Sequence, residues 1–291
     1  MTTQPMVPPP GRGRPIPRSL LAVLSLTLVV ALLWASGSVW PFVYSEARAF
    51  ARWRLQRQLA DWPGMESEHF VLKYQPEDEN VAAMVLDTAE KAYAVVTKEA
   101  NFIPLCKTLV ALYPSAEELN AVFGWSPQES ALGVYWGGTI RVLSPNDWVG
   151  EVDEDLLKEI FWVAGPMVHE FTHLILDYKT DGNYPRWFSE GLAQYMELKY
   201  CGAVLSASSD LCIARLYSIQ DLDSFTNLDD EQLAYQQSLS LVEFMVETGG
   251  PEVLGKIVNS LAKGSSFGQA LSAAGMPPLA TIEEQWLDWI K

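Results

Sequence analysis

The sequence predicts an α+β protein: a small mixed or antiparallel sheet lobe packed on a helical lobe whose central helix carries two histidines, with a transmembrane helix ahead of both. Three observations lead there. Short apolar runs with turn signals between them are confined to residues 69–143. Beyond Val152 the chain reads as helix and loop, and residues 20–35 carry no charge.

The chain opens on a Pro- and Gly-rich head with Arg12, Arg14 and Arg18, followed by an apolar run from Leu20 to Ala35 that continues weakly to Tyr44. The run is near the lower length limit for a spanning helix. Trp34, Trp40, Phe42 and Tyr44 suit a membrane interface. Residues 1–44 are therefore read as a head and single-pass membrane anchor. A cleavable signal is the alternative, since Ala35-Ser36-Gly37 offers small residues for cleavage, and the product would be secreted. Arg48, Arg52, Arg54 and Arg57 compete with the three upstream arginines, so charge does not fix the orientation. A short span before a large domain most often exports that domain, and an extracytoplasmic location is expected. Residues 45–64 read as a basic amphipathic helix, lying at the headgroups or forming a stalk, and residues 65–291 as one domain.

Within that domain, His69–Tyr74 and Thr108–Tyr113 read as strands, Asn80–Asn101 and Ala116–Phe123 as helices, and Leu132–Trp136 with Thr139–Leu143 as a hairpin through Gly137-Gly138. Gly165-Pro166 interrupts the next helical run, and Pro166 suits the first turn of a new helix, where a missing N–H costs nothing. Further helices are expected from Pro185 to about Tyr200, from Asp230 to Glu247, and two or three times in residues 251–291.

At 291 residues, 49% of them hydrophobic, the chain can bury one large core or two lobes around a cleft. A net charge of −16 argues against a nucleic-acid partner, which needs clustered Lys and Arg. Cys106, Cys201 and Cys212 are too few and too spread for a structural zinc cluster or disulfide framework. Cys201 and Cys212 could pair outside the cytosol, while Cys106, in the apolar run 103–113, reads as a small buried hydrophobe.

His169-Glu170-Phe171-Thr172-His173 carries the chemistry. A helix turns about 100° per residue, so His169 and His173 share a face and can bind one metal ion. Glu170 points about 100° round the helix, toward a metal-bound water for which it would be general base. Catalytic zinc takes three protein ligands and leaves one position open. Glu190, early on the next helix in Pro185-Arg-Trp-Phe-Ser-Glu-Gly-Leu-Ala-Gln-Tyr195, can be brought to that face by a short loop between antiparallel helices. A hard oxygen beside two imidazoles suits zinc.

These two motifs together resemble the gluzincin metallopeptidases, most closely the peptidase MA-like family, loosely from residue 66 to the end. The resemblance implies a thermolysin-like arrangement, with a sheet lobe above the metal helix, a helical lobe below and a peptide or protein substrate between them. It makes zinc (Zn2+) the cofactor, with no organic cofactor, His169, His173 and Glu190 the ligands, and Glu170 the general base. The alternative for Glu190 is a helix N-terminal carboxylate stabilised by the dipole. Glu197 is its nearest competitor and reads as a solvated helix residue. Tyr235 lies in a segment resembling the family's downstream helix, whose tyrosine donates to the oxyanion; an ordinary packed aromatic is the equal alternative, with Tyr195 and Tyr178 as weaker substitutes. Gly133, Val134, Tyr135 and Trp136 fall where a gluzincin edge strand holds extended substrate backbone, or else form an exposed hairpin with two packed aromatics.

Gln194 sits where an aspartate might orient a metal histidine; Asp177, Asp181 and Asn183 are substitutes, each otherwise a helix-end or turn residue. The exopeptidase signature Gly-x-Met-Glu-Asn is absent, which points away from N-terminal trimming. Gly264-Ser-Ser-Phe-Gly268 spells a nucleophile elbow but follows a helix and precedes no histidine, so it reads as a loop. The expected function is a membrane-anchored zinc endopeptidase. Its rival is a non-catalytic, metal-stabilised binding or chaperone-like module, against which the retained Glu170 argues, since a structural site needs ligands alone.

Overall fold

The computed structural model describes residues 39–126, 131–202, 215–225 and 228–291, in two units, Met1–Ser45 and Glu46–Lys291. The apolar run expected to cross a membrane lies largely outside the described residues, as does Cys212. Among the described residues no helix is long and apolar enough for a span. Helix α1 (Trp40–Gln58) begins in the first unit, where the rings of Trp40 and Tyr44 pack one turn apart, and continues into the second.

In the second unit the expected stalk segment is helical and packed rather than free-standing. Leu55 and Leu59 are buried against Leu109, Ala111 and Tyr113 of the sheet. The five strands are β1 (Gly64–Glu66), β2 (Phe70–Lys73), β3 (Thr108–Tyr113), β4 (Gly133–Trp136) and β5 (Thr139–Leu143), in the order β1-β2-β3-β5-β4. The inner pairs β2–β3 and β3–β5 are parallel and the outer pairs antiparallel, so the sheet is mixed. Thr-Leu-Val-Ala-Leu-Tyr is buried at every position, as a central parallel strand covered on both faces must be. One face takes Leu55 and α3 (Ala116–Phe123); the other takes α2 (Glu79–Ala100), the crossover between β2 and β3, through Val81, Val85 and Ala89.

A short helix α4 (Pro145–Trp148) and then α5 (Glu154–Ala164) follow the sheet. Next come α6 (Met167–Thr180) and α7 (Arg186–Cys201), then α8 (Ile219–Ser224), α9 (Glu231–Gly249), α10 (Val253–Leu261), α11 (Phe267–Ala273) and α12 (Leu279–Trp289). Phe171, Leu174 and Ile175 of α6 pack on the sheet-side core. Trp187, Phe188, Val242, Ile257 and Trp286 build a second core among the later helices. The fold class is the expected α+β one, with α6 and α7 at the seam of its two cores.

Three details differ from or refine the sequence reading. Cys106 is exposed, because its apolar run starts in a loop and the strand begins only at Thr108; its sulfur lies 2.7 Å from the Arg52 guanidinium. Pro166 takes the cap position one residue ahead of α6. In the Gly-x-Ser-x-Gly stretch, Ser266 caps α11 by a reciprocal bond with Gln269, as befits a connecting loop.

Candidate metal centre

The 3.6-residue repeat of α6 buries Phe171 and Leu174 and leaves His169 and His173 on the face turned to α7, their ring centroids 4.7 Å apart. On α7, Trp187 and Phe188 sink into the helical core. Gly191 lies so close to α9 that a Cβ there would stand 2.2 Å from the Ser238 carbonyl oxygen, a contact no side chain tolerates. That close approach fixes the preceding residue, Glu190, whose Oε2 lies 3.2 Å from His173 Nε2 and 3.6 Å from His169 Nε2. Ligand atoms bound tetrahedrally at about 2.0–2.2 Å from zinc stand roughly 3.4 Å apart, so these separations fit a shared ion. The three ligand atoms all lie within 4.8 Å of one another, and together they could hold a metal.

Both imidazoles are held through their other nitrogen. His169 Nδ1 meets Glu197 Oε2 at 2.9 Å and His173 Nδ1 meets Ser189 Oγ at 2.7 Å, which leaves the two Nε2 atoms for Glu190 or an ion. Glu197 is therefore not a solvated helix residue: its side chain is 18% exposed and braces a ligand. Its spacing of two turns from Glu190 puts both carboxylates on one helix face, a signal present in the sequence. The other proposed substitutes serve elsewhere. Asp177 and Asp181 bind Arg48, and the Asn183 amide donates to the Leu261 and Ser265 carbonyls. Gln194 donates to the Tyr235 carbonyl at 2.9 Å, tying α7 to α9.

Charge is balanced tightly. Burial favours a neutral Glu190, but His173 and His169 outweigh it and hold the carboxyl far below the usual range. Burial likewise opposes an imidazolium at His169, but the carboxylates of Glu197 and Glu190 outweigh it and raise its pKa well above the ordinary value. A metal cation would replace that proton. Glu170 is pushed up by burial, only partly offset by the two imidazoles, and its Oε2 accepts the Tyr135 N–H at 2.5 Å.

His169, Glu170, Glu197, Arg186, Gly133 and Tyr235 line a cavity of about 680 Å³, with Trp125 and Phe225 among its walls. Burial raises the Tyr235 pKa, so its phenol remains a donor at neutral pH. Of the four edge-strand residues, Gly133 alone borders this cavity. A Cβ on it would fall 2.5 Å from Pro166 and 2.8 Å from Glu170, so a glycine lets β4 lie on the metal helix. Val134 pairs with Arg141, Tyr135 sends its hydroxyl to Asp177, and Trp136 is 55% exposed with its ring 6.0 Å from the Arg141 guanidinium. Arg186, not singled out by its sequence, reaches the cavity with Nε 3.6 Å from Glu190 Oε1 and its guanidinium 4.9 Å from the Phe225 ring. The i,i+4 spacing of Arg186 and Glu190 is the signal that would have found it.

A family model described as the Peptidase MA superfamily matches residues 133–291. The chain belongs to the Peptidase MA superfamily. The match takes in β4, β5, α6, α7 and α9, and so the three donors of the cluster, the residues that hold them, Glu170 and Tyr235; Trp125 of the cavity wall, α1 and the first three strands fall outside it. Membership of the Peptidase MA superfamily points to a metal-dependent peptidase, in keeping with a His-His-Glu cluster able to hold a metal. No curated protein matches the chain.

Proposed function

We propose that the protein is a zinc-dependent endopeptidase acting on peptide or protein substrates, with His169, His173 and Glu190 as ligands. The observation that carries this reading is the pre-set donor cluster, both Nδ1 atoms bonded away and both Nε2 atoms turned to one carboxylate, beside a buried glutamate on a cavity wall. Zinc bound there would polarise a substrate carbonyl and lower the pKa of a water. Glu170 takes the proton of the attacking water and returns it to the leaving amine, and its pKa, raised by burial, suits both steps. The Tyr235 phenol donates to the developing oxyanion. Gly133 keeps the cavity rim free of a side chain.

In this reading the domain of residues 65–291 works outside the cytosol, held to a membrane through residues 1–44. What supports it is the uncharged run from Leu20 to Ala35, together with exposed Phe50 and Trp53 on α1 among Arg54 and Arg57.

The test pairs metal content with cleavage of a mixed peptide library by the wild type and Glu170→Gln. Stoichiometric zinc in both, with chelator-sensitive cleavage within peptides by the wild type alone, is expected. Zinc binding without Glu170-dependent cleavage would leave a metal-stapled binding module instead.

A further inference from the structure

We propose that Arg48, on α1, is a positioning residue for Glu170, acting through Asp177 and Tyr135; as a statement about catalysis this rests on the peptidase reading above. Arg48 reaches the C-terminal end of α6 with both terminal nitrogens. Its Nη1 donates to the Asp177 carbonyl at 2.8 Å and to Asp177 Oδ2 at 3.0 Å, and its Nη2 to Asp181 Oδ1 at 2.8 Å. The guanidinium also lies over the Tyr178 ring, 4.5 Å from its centroid. Asp177 is 1% exposed, and its carboxylate is shared between Arg48 and the hydroxyls of Tyr135 and Tyr184.

The same Asp177 Oδ2 accepts the Tyr135 hydroxyl at 2.5 Å. Tyr135 is thereby held at both ends. Its ring oxygen is fixed to the metal helix and accepts from the Gly138 N–H at 3.1 Å, while its backbone N–H, pointing off the free edge of the sheet, donates to Glu170 Oε2 at 2.5 Å. That N–H bonds the carboxylate of the proposed base directly.

The turn of the same hairpin is wedged between α1 and α6. Gly137 and Gly138 adopt φ of 57° and 79°, as a two-residue hairpin turn of this hand requires. A Cβ on Gly137 would come 2.9 Å from the Ala51 methyl of α1, and one on Gly138 would come 2.8 Å from the Tyr178 hydroxyl. A helix outside the superfamily match thus holds the edge strand by its turn and by its tyrosine. A charge clamp at a helix end would need only the contacts to Asp177 and Asp181. The shared oxygen, the tyrosine and the wedged turn carry that clamp on to the base.

The full chain is compared with Arg48→Ala, Arg48→Lys, Tyr135→Phe and the double variant Arg48→Ala/Tyr135→Phe by two measurements. The first is hydrogen exchange at the Tyr135 amide, which needs no activity. Exchange should speed about tenfold or more in Arg48→Ala and Tyr135→Phe and be partly restored in Arg48→Lys, while the β3 amides stay as in the wild type. The second is peptide hydrolysis, where a displaced base should lower kcat about 10- to 100-fold with KM and zinc content unchanged. The double variant should lose no more than the worse single one, as members of one chain of contacts do. An unchanged Tyr135 amide, or additive losses in kcat, would overturn the assignment. If the amide loosens as expected but the wild type cuts no peptide, the positioning of Glu170 stands and the peptidase reading falls.

Discussion

Replacing Glu197 isolates the contact that the sequence least advertised. Its carboxylate meets His169 Nδ1 at 2.9 Å and is mostly buried. A partner of this kind fixes the ring and raises its basicity as a ligand, and losing it costs about 10- to 100-fold in metal affinity, or about 1.4 to 2.7 kcal/mol. Glu197→Ala should fall at the upper end, and Glu197→Gln, which keeps an acceptor oxygen but no charge, at the lower. Zinc dissociation constants from competition with a chromophoric chelator give the number, with the exposed Glu247→Gln as control.

The sign of the pH dependence follows from His169. Its pKa is raised in the metal-free fold, with Glu197 the largest favourable cause, so at low pH zinc must displace a proton that Glu197 itself helps to hold. Without Glu197 that competing proton is held less tightly. The affinity deficit of the variant should therefore be widest at alkaline pH and narrow as the pH falls. A change within twofold at all pH values, or one that widens on acidification, would refute the reasoning.

Tyr235→Phe should lower kcat by about 10²- to 10³-fold with zinc content and KM held, the loss typical of one oxyanion donor, measured by steady-state peptide hydrolysis. Gly191→Ala places a methyl 2.2 Å from the Ser238 carbonyl oxygen, so it should cost about 1–3 kcal/mol, seen as a lower Tm, and weaken zinc binding along with it because Glu190 shifts. The metal-free protein should lose stability at both pH extremes. The contribution of His169 is fully present below its unfolded value near 6.5 and fades as pH rises through its raised folded pKa, while that of Glu190 is present above about 4.5 and fades on acidification. Thermal melts across pH check this, and saturating zinc should remove the alkaline loss, because the bound ion keeps both imidazoles neutral.

The parts of the site that lie on one helix face were legible from spacing alone. His169 and His173 needed only the 3.6-residue repeat, and Glu190 only a short loop and an antiparallel return. Contacts made across the fold were not. Glu197 carries a signal in its seven-residue spacing from Glu190, but its polarity alone reads as solvated, and the imidazole it braces lies on another helix. Asp177 looked like a helix-end residue, and its partner Arg48 lies 129 residues away in a segment read as a stalk. The strands β2, β3 and β5 follow their apolar runs, whereas β1, with three residues and a single antiparallel neighbour, is too short to show a pattern. Exposed Leu105, two residues after Ile103, shows the reverse error: the apolar letters start before the sheet does, at Thr108.

The parallel pairing of β3 with β5 bears on how this chain could be divided. Five residue pairs, from Leu109 with Thr139 to Tyr113 with Leu143, join a strand outside the superfamily match to one inside it. A fragment starting at Gly133 would keep every side chain of the metal centre and yet bare one whole edge of β5, flanked by Ile140 and Val142. Unpaired strand edges of that kind recruit other copies of themselves. Such a fragment is expected to aggregate rather than fold as a minimal metal-binding unit, because the superfamily match begins in the middle of a sheet.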